Sequence, residues 1–259
     1  MPGKRTRNIS AKAKELLFAD ENYITLILAV IIFALAGVLP IVALYMVSEL
    51  VDRTILAVGF LAVEILTVAP LFFGLIRIAG LASKKADMGL LDIFFAFDSV
   101  KNYLRILLLT LVSILRITTP LAIGYIVSYL AVNFLGAPSW VMVAGMTVLF
   151  VLFLPLNIRL YAVDFLVAAD GDGVFRAIKV SWEYTRKNKK FLILYSIENL
   201  PLLIASVAAI CVPLVIYTIP FLLCAYSISC RKLILLKQND ICPEEKLEGV
   251  EEINEQDSE

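Results

Sequence analysis

Apolar residues come along this chain in long runs separated by short polar stretches, and the run lengths carry the first prediction. A helix needs about 20 apolar residues to cross the hydrocarbon of a bilayer. Tyr23–Val47, Ile55–Leu81, Ile106–Leu135 and Trp140–Leu160 each meet that length. A fifth run, Phe191–Cys230, holds forty residues with Glu198 as its one charged side chain. That is too long for one crossing and long enough for two helices turning near Cys211–Pro213. The pattern predicts an all-α polytopic membrane bundle. It places six transmembrane helices in 23–235, a basic segment in 1–22 and an acidic, disordered tail in 236–259.

Two of the intervening stretches have a helical period of their own. In "GLLDIFFAFDSVKNYL", Leu90, Phe94, Phe97 and Leu104 recur at helical spacing, with Ile93 and Val100 beside them. In "DGVFRAIKVSWEYTRKNKK", Val174, Phe175, Ile178 and Trp182 do the same, and Asp172 suits a helix start. Each predicts an amphipathic interfacial helix on the cytoplasmic side, its apolar face toward lipid or protein. Arg176, Lys179 and the basic residues of 186–190 would then meet anionic headgroups. The chain thus repeats one unit: span, amphipathic helix, span.

Composition agrees: 61% of the residues are hydrophobic, against roughly 45–50% in soluble domains. Lysine and arginine number 5, 1, 5, 0, 7, 0 and 4 in successive segments between the spans. Basic residues favour the cytoplasmic side, so this alternation sets both termini in the cytoplasm. The first run is about twice the apolar core of a signal peptide and has no clear cleavage pattern after it, which predicts an uncleaved first helix. A formal net charge of zero hides an asymmetry: residues 238–259 hold nine acids and one lysine. Such a stretch, without aromatic residues, reads as a solubilising tail.

The chain contains no histidine, which removes His-dependent triads and His-ligated metal sites. Its four cysteines form no C-x-x-C pair, so they read as buried apolar side chains. "ADGDGV" (169–174) lacks the further acids of a calcium loop and reads as a turn with a helix cap. No phosphate-binding glycine loop occurs. The expectation is a protein with no catalytic residues, no metal, no cofactor and no nucleic-acid partner.

Charges inside hydrocarbon are costly and usually have a partner or a purpose. Glu64 lies nine residues into the second span and Arg116 ten residues into the third, about 13 and 15 Å from opposite faces. A Glu64–Arg116 ion pair is expected, as a register pin, an ion pathway or a headgroup site. Glu198 and Asn199 form a second intramembrane pair, seven residues into the fifth span and just before Pro201. Arg77, Asn157 and Arg159 mark the inner leaflet, either snorkelling to the interface or lining a vestibule with Glu198.

The runs "APLFFGLIRIAGLASKKADMGLLDIFFAFDSVKNYLRILLL" and "LPLNIRLYAVDFLVAADGDGVFRAIKVSWEYTRKNKKFLILYSI" resemble a bacterial integral-membrane family labelled domain of unknown function nine-seven-five. That family is similar in plan to the membrane domain of some glycerophosphodiester phosphodiesterases. The resemblance runs over Val68–Tyr226. It rests on Pro70 with Gly74, Leu91–Phe97, Pro155, Arg159, Tyr161, Ala169-Asp170, Ala177, Lys179, Ser181, Phe191 and Pro220-Phe221. It implies the six-helix plan and brings no site residue with it. The chain departs from it at Ala69 and at Glu198-Asn199. The leading expectation is a non-enzymatic protein of the cytoplasmic membrane that binds or organises lipids, or membrane-protein partners. The alternative is a small-solute or ion transporter using Glu64, Arg116 and Glu198.

Overall fold

The computed structural model describes residues 2–19, 22–47, 53–136, 138, 140–186, 188, 192–193 and 217–241. Among them there is no strand. The helices are α1 (Pro2–Phe18), α2 (Asn22–Val47), α3 (Arg53–Val63), α4 (Ala69–Ser83), α5 (Val100–Leu135), α6 (Trp140–Arg159), α7 (Val163–Ala168), α8 (174–186) and α9 (Ile219–Ile241). A π-helical turn, Glu64–Val68, joins α3 to α4, and a 3-10 helix, Leu90–Phe97, precedes α5. Four stretches are long and apolar enough to cross a membrane: Asn22–Ala43, Thr54–Ser83, Val100–Phe134 and Val143–Ala168. They coincide with the first four predicted spans and make this a membrane protein.

Burial divides every one of these four stretches in the same sense. Near its start α2 buries Leu26, Ala29 and Val30, then exposes Leu35, Leu39 and Tyr45. The α3–α4 rod exposes Ile55 and Val58 and buries Phe73, Leu75 and Ile78. Ile106 and Leu109 at the start of α5 are buried, while Ile126 and Phe134 toward its end are exposed. Trp140 and Leu152 of α6 are exposed, and Phe165 and Val167 of α7 are buried. One end of the molecule is therefore a packed base, and the other is a set of helices with bare apolar sides. Large apolar surfaces of that kind suit lipid and not water.

Pro70 explains the π turn. Proline has no N–H to bond the carbonyl four residues back and its ring crowds that carbonyl. The helix continues because the Ala69 N–H reaches Glu64 O, and Leu66 O takes a hydrogen bond from Tyr103 Oη at 2.9 Å. The sequence predicts a kink here; the chain instead winds through one π turn and borrows a donor from α5. At the other end of α5, Gly136 adopts φ +65° and closes the helix in the left-handed conformation that glycine enters without penalty.

Several expectations change. The amphipathic helix expected over 89–104 is two pieces. Asp92 Oδ2 accepts from Gly89 N (2.9 Å) at the start of the 3-10 helix. Ser99 Oγ then accepts from Asn102 N (3.2 Å) and starts α5 afresh. Ile93 and Phe95 turn inward while Leu91, Phe94 and Phe97 stay exposed. The 3-10 backbone lies directly on α4, where a Cβ at Gly74 would collide with the Ile93 carbonyl. The basic N-terminal segment forms α1, which buries Ile9, Ala13 and Leu17 at one-turn spacing. The stretch expected as the sixth span begins outside the described residues and continues into α9, which is not among the four membrane-length stretches found in the described residues. It packs along α1 and α4, buries Ser227 and Ser229, and Tyr217 just before it stacks on Phe18. The fifth span, apart from Leu192–Ile193, lies outside the described residues, as do Glu198, Asn199 and residues 242–259 of the acidic tail; the first six residues of that predicted disordered tail, 236–241, are instead the end of α9.

Gly74→Ala should cost about 3 kcal/mol, since the added methyl meets backbone that cannot rotate away. Gly59→Ala, with nothing within 4 Å of the new Cβ, should be neutral or slightly stabilising. Thermal unfolding in detergent measures both, and equal effects would contradict the close approach of α4 to the 3-10 helix.

Candidate functional site

The residues singled out in the sequence lie at the base, and what gathers them is a set of backbone carbonyls. A helix leaves its last carbonyls without intrahelical partners. Between α6 and α7 these groups are not left to water. Arg159 O accepts from Ser181 Oγ (2.8 Å) and Thr185 Oγ1 (3.2 Å) of α8. Leu160 O accepts from Arg116 Nη1 of α5 (3.4 Å). Tyr161 O accepts from Tyr226 Oη of α9 (2.8 Å). Ser181 Oγ also accepts from Ala162 N (3.1 Å), so one hydroxyl serves both the end of α6 and the approach to α7. The Tyr161 and Tyr226 rings meet edge to face at 5.1 Å, and Tyr161 Oη bonds Ser229 Oγ at 2.8 Å.

The end of α7 repeats the arrangement with cations. Ala168 O faces Arg77 Nη1 at 3.5 Å, Ala169 O faces Lys84 Nζ at 3.0 Å, and Gly171 O accepts from Arg105 Nη1. Positive side chains suit this position because the carbonyl end of a helix is its negative pole. Gly171 at φ +75°, a conformation glycine enters without penalty, and the bond from Asp172 N to Leu166 O (3.0 Å) close the turn after α7. Asp172 then pairs with Arg176 (3.6 Å) in the first turn of α8. The "ADGDGV" stretch is thus a turn leading into a helix, as its sequence suggests. Among the described residues no cluster of three His, Cys, Asp or Glu could hold a metal ion.

Each candidate residue now has a place. Arg116 is not paired with Glu64. Its partner is Asp164 of α7, at 3.8 Å, and Ser113 Oγ lies 3.5 Å from the other carboxylate oxygen. Arg116 Nε is buried with no acceptor among the described residues. Glu64 is half-buried in the π turn. Arg77 reaches Asp92 of the 3-10 helix (3.4 Å) and stacks over Phe95 with its guanidinium carbon 4.9 Å from the ring centre. Arg159 stacks over Trp182 at 4.1 Å, and Asn157 is half-buried two residues before it. Arg77 and Arg159 are therefore docked on neighbouring elements and do not snorkel freely.

Sequence reasoning missed Asp164 because the fourth span was ended at Leu160, which left this carboxylate in a loop. The chain instead turns at 160–162 and resumes as α7, returning Asp164 to the level of Arg116. The residues grouped on one apolar face of α8 divide between two sides. Val174, Ala177, Ser181 and Thr185 are buried, while Phe175 and Trp182 point outward.

Arg116→Gln should cost about 3 kcal/mol by stranding Asp164, and adding Asp164→Asn should restore part of the loss. Glu64→Gln should change stability by no more than about 0.5 kcal/mol. Unfolding midpoints of the three variants measure this; a larger effect of Glu64→Gln than of Arg116→Gln would contradict the assignment. Ser181→Ala should cost about 2 kcal/mol, because it leaves buried backbone groups unsatisfied. No family model, curated protein or solved structure matches this chain.

Proposed function

We propose that the protein is a non-enzymatic, multi-span component of the cytoplasmic membrane, with base and termini on the cytoplasmic side, that binds and organises anionic lipid. The observation that carries this reading is the segregation of the molecule. Bare apolar helices form one end, and a base containing Arg77, Lys84, Arg105, Lys179 and Arg186 forms the other. That distribution accords with basic residues on the cytoplasmic side. In this reading α9 belongs to the base, since it runs along α1.

The arginines at membrane level support organisation over transport. Arg116 is held by Asp164 and Leu160 O, Arg77 by Asp92 and Ala168 O, and Arg159 by Trp182. Each tie joins two elements of the base, which is the chemistry of a rigid platform. The family resemblance over 68–226 implies membrane architecture and carries no catalytic residue over to this chain.

Reconstitution tests the proposal. In vesicles mixing neutral and anionic phospholipid, the protein should cluster a headgroup-labelled anionic lipid, read as self-quenching, without raising ion or solute flux. Flux that disappears with Glu64→Gln would overturn it in favour of a transporter.

A further inference from the structure

α8 has one face that it cannot present elsewhere. Ser181 and Thr185 tie it to the end of α6, and Val174 and Ala177 are buried beneath it. Its rotation is fixed, so the composition of the opposite face follows from the helical register and not from side-chain choice. That face carries Phe175, Arg176, Lys179, Trp182, Glu183 and Arg186, all exposed. Phe175 is 76% exposed, an expensive position for a phenyl ring in water.

Two further features narrow what covers it. Trp182 lies under the guanidinium of Arg159, the last residue of α6. The face therefore begins at the last residue of α6, in the later half of the Val143–Ala168 stretch; aromatic side chains near the end of such a stretch suit the level between acyl chains and headgroups. The charge is positive in balance. Arg176 is paired with Asp172 and Glu183 is engaged within the protein. Lys179 and Arg186 stand one turn to either side of Trp182, and Arg159 adds a third cation at the ring itself. Exposed rings to enter the acyl boundary, with cations flanking them, match a phospholipid that carries net negative charge. A soluble anion would use the cations and leave Phe175 in water.

We propose that this outward face of α8, with Lys179 and Arg186 around the Arg159–Trp182 stack, is the binding surface for anionic phospholipid headgroups. The inference rests on the lipid-organising function above and assigns it to one helix. Binding strength falls with salt, because the attraction is between exposed charges and a charged surface.

The test uses the full chain with Trp140→Phe, which leaves Trp182 as the sole tryptophan. The protein is reconstituted in phosphatidylcholine alone or mixed with phosphatidylglycerol, and Trp182 emission is followed with ring-quenching brominated lipids of each headgroup. Brominated phosphatidylglycerol should quench preferentially. Lys179→Gln with Arg186→Gln should reduce that preference about 25-fold, at about five-fold per charge. The melting temperature should stay unchanged, since both side chains are exposed. Lys179→Arg with Arg186→Lys should retain the preference. A preference that survives the glutamine pair overturns the inference, as does an equal Trp182 response to inorganic phosphate in neutral vesicles. Solute flux measured on the same vesicles separates the two claims. Flux with α8-dependent lipid preference removes the organising function and keeps the site. Absence of flux with α8-independent preference does the reverse.

Discussion

The base of this protein depends on satisfying carbonyl groups at the ends of two short-spaced helices. Between Arg159 and Gly171 the chain ends α6, turns, runs α7 for six residues and ends again. Two helix ends so close together concentrate unsatisfied acceptors in a place largely shielded from water, where each unmet carbonyl is costly. The donors come from α4, α5, α8 and α9, one or two from each. No single neighbour meets the need, so meeting it brings four elements together. The ion pairs follow from the same arrangement: Arg116 is already at Leu160 O when it meets Asp164 one turn on.

Close packing of small residues completes what the hydrogen bonds begin. α4 meets the 3-10 helix at Gly74 and the end of α7 at Gly80, where a Cβ would run into Ala169. α5 and α6 approach at Gly124, where a Cβ would come within 2.7 Å of Met146 Cα. In lipid the burial of apolar side chains gives little net drive for helix association, and short backbone approach takes on more of the work. The small residues on α4 and α5 are placed accordingly: at the base for α4, and along the lipid-facing hairpin for α5 and α6.

The apolar runs made α2, the α3–α4 rod, α5 and α6 legible within a few residues, because length and composition alone distinguish a crossing helix. α9 is less legible: Leu222, Leu223 and Ile228 suit a helix packed against protein as well as one bathed in lipid, and hydropathy does not separate the two environments. Pro70 was legible as a disturbance; that Tyr103 would repair it was not, since that bond joins positions 37 residues apart. Arg116 announced itself as a buried charge, but its partner depended on a turn at 160–162 that carries no proline or glycine to mark it. The amphipathic pattern of 174–182 located α8, but grouped Val174, which is buried, with Phe175 and Trp182, which are exposed. Ser181 and Thr185 look polar in sequence and are as fully buried as Ala177 of the same helix, because their hydroxyls serve backbone.

The pairing of α1 with α9 has a consequence for how the protein comes into being. The helix that covers Ile9, Ala13 and Leu17 begins some two hundred residues after α1 and is made after it. Until α9 is made, the amphipathic α1 has only α2 beside it, so most of its apolar side has to rest on the membrane surface or on a chaperone. Contacts of such long sequence separation form late. The four membrane-length stretches are thus synthesised before the base can close on α9. A protein halted before Ile219 would keep its spans and still display an uncovered amphipathic helix, a surface that quality control can read.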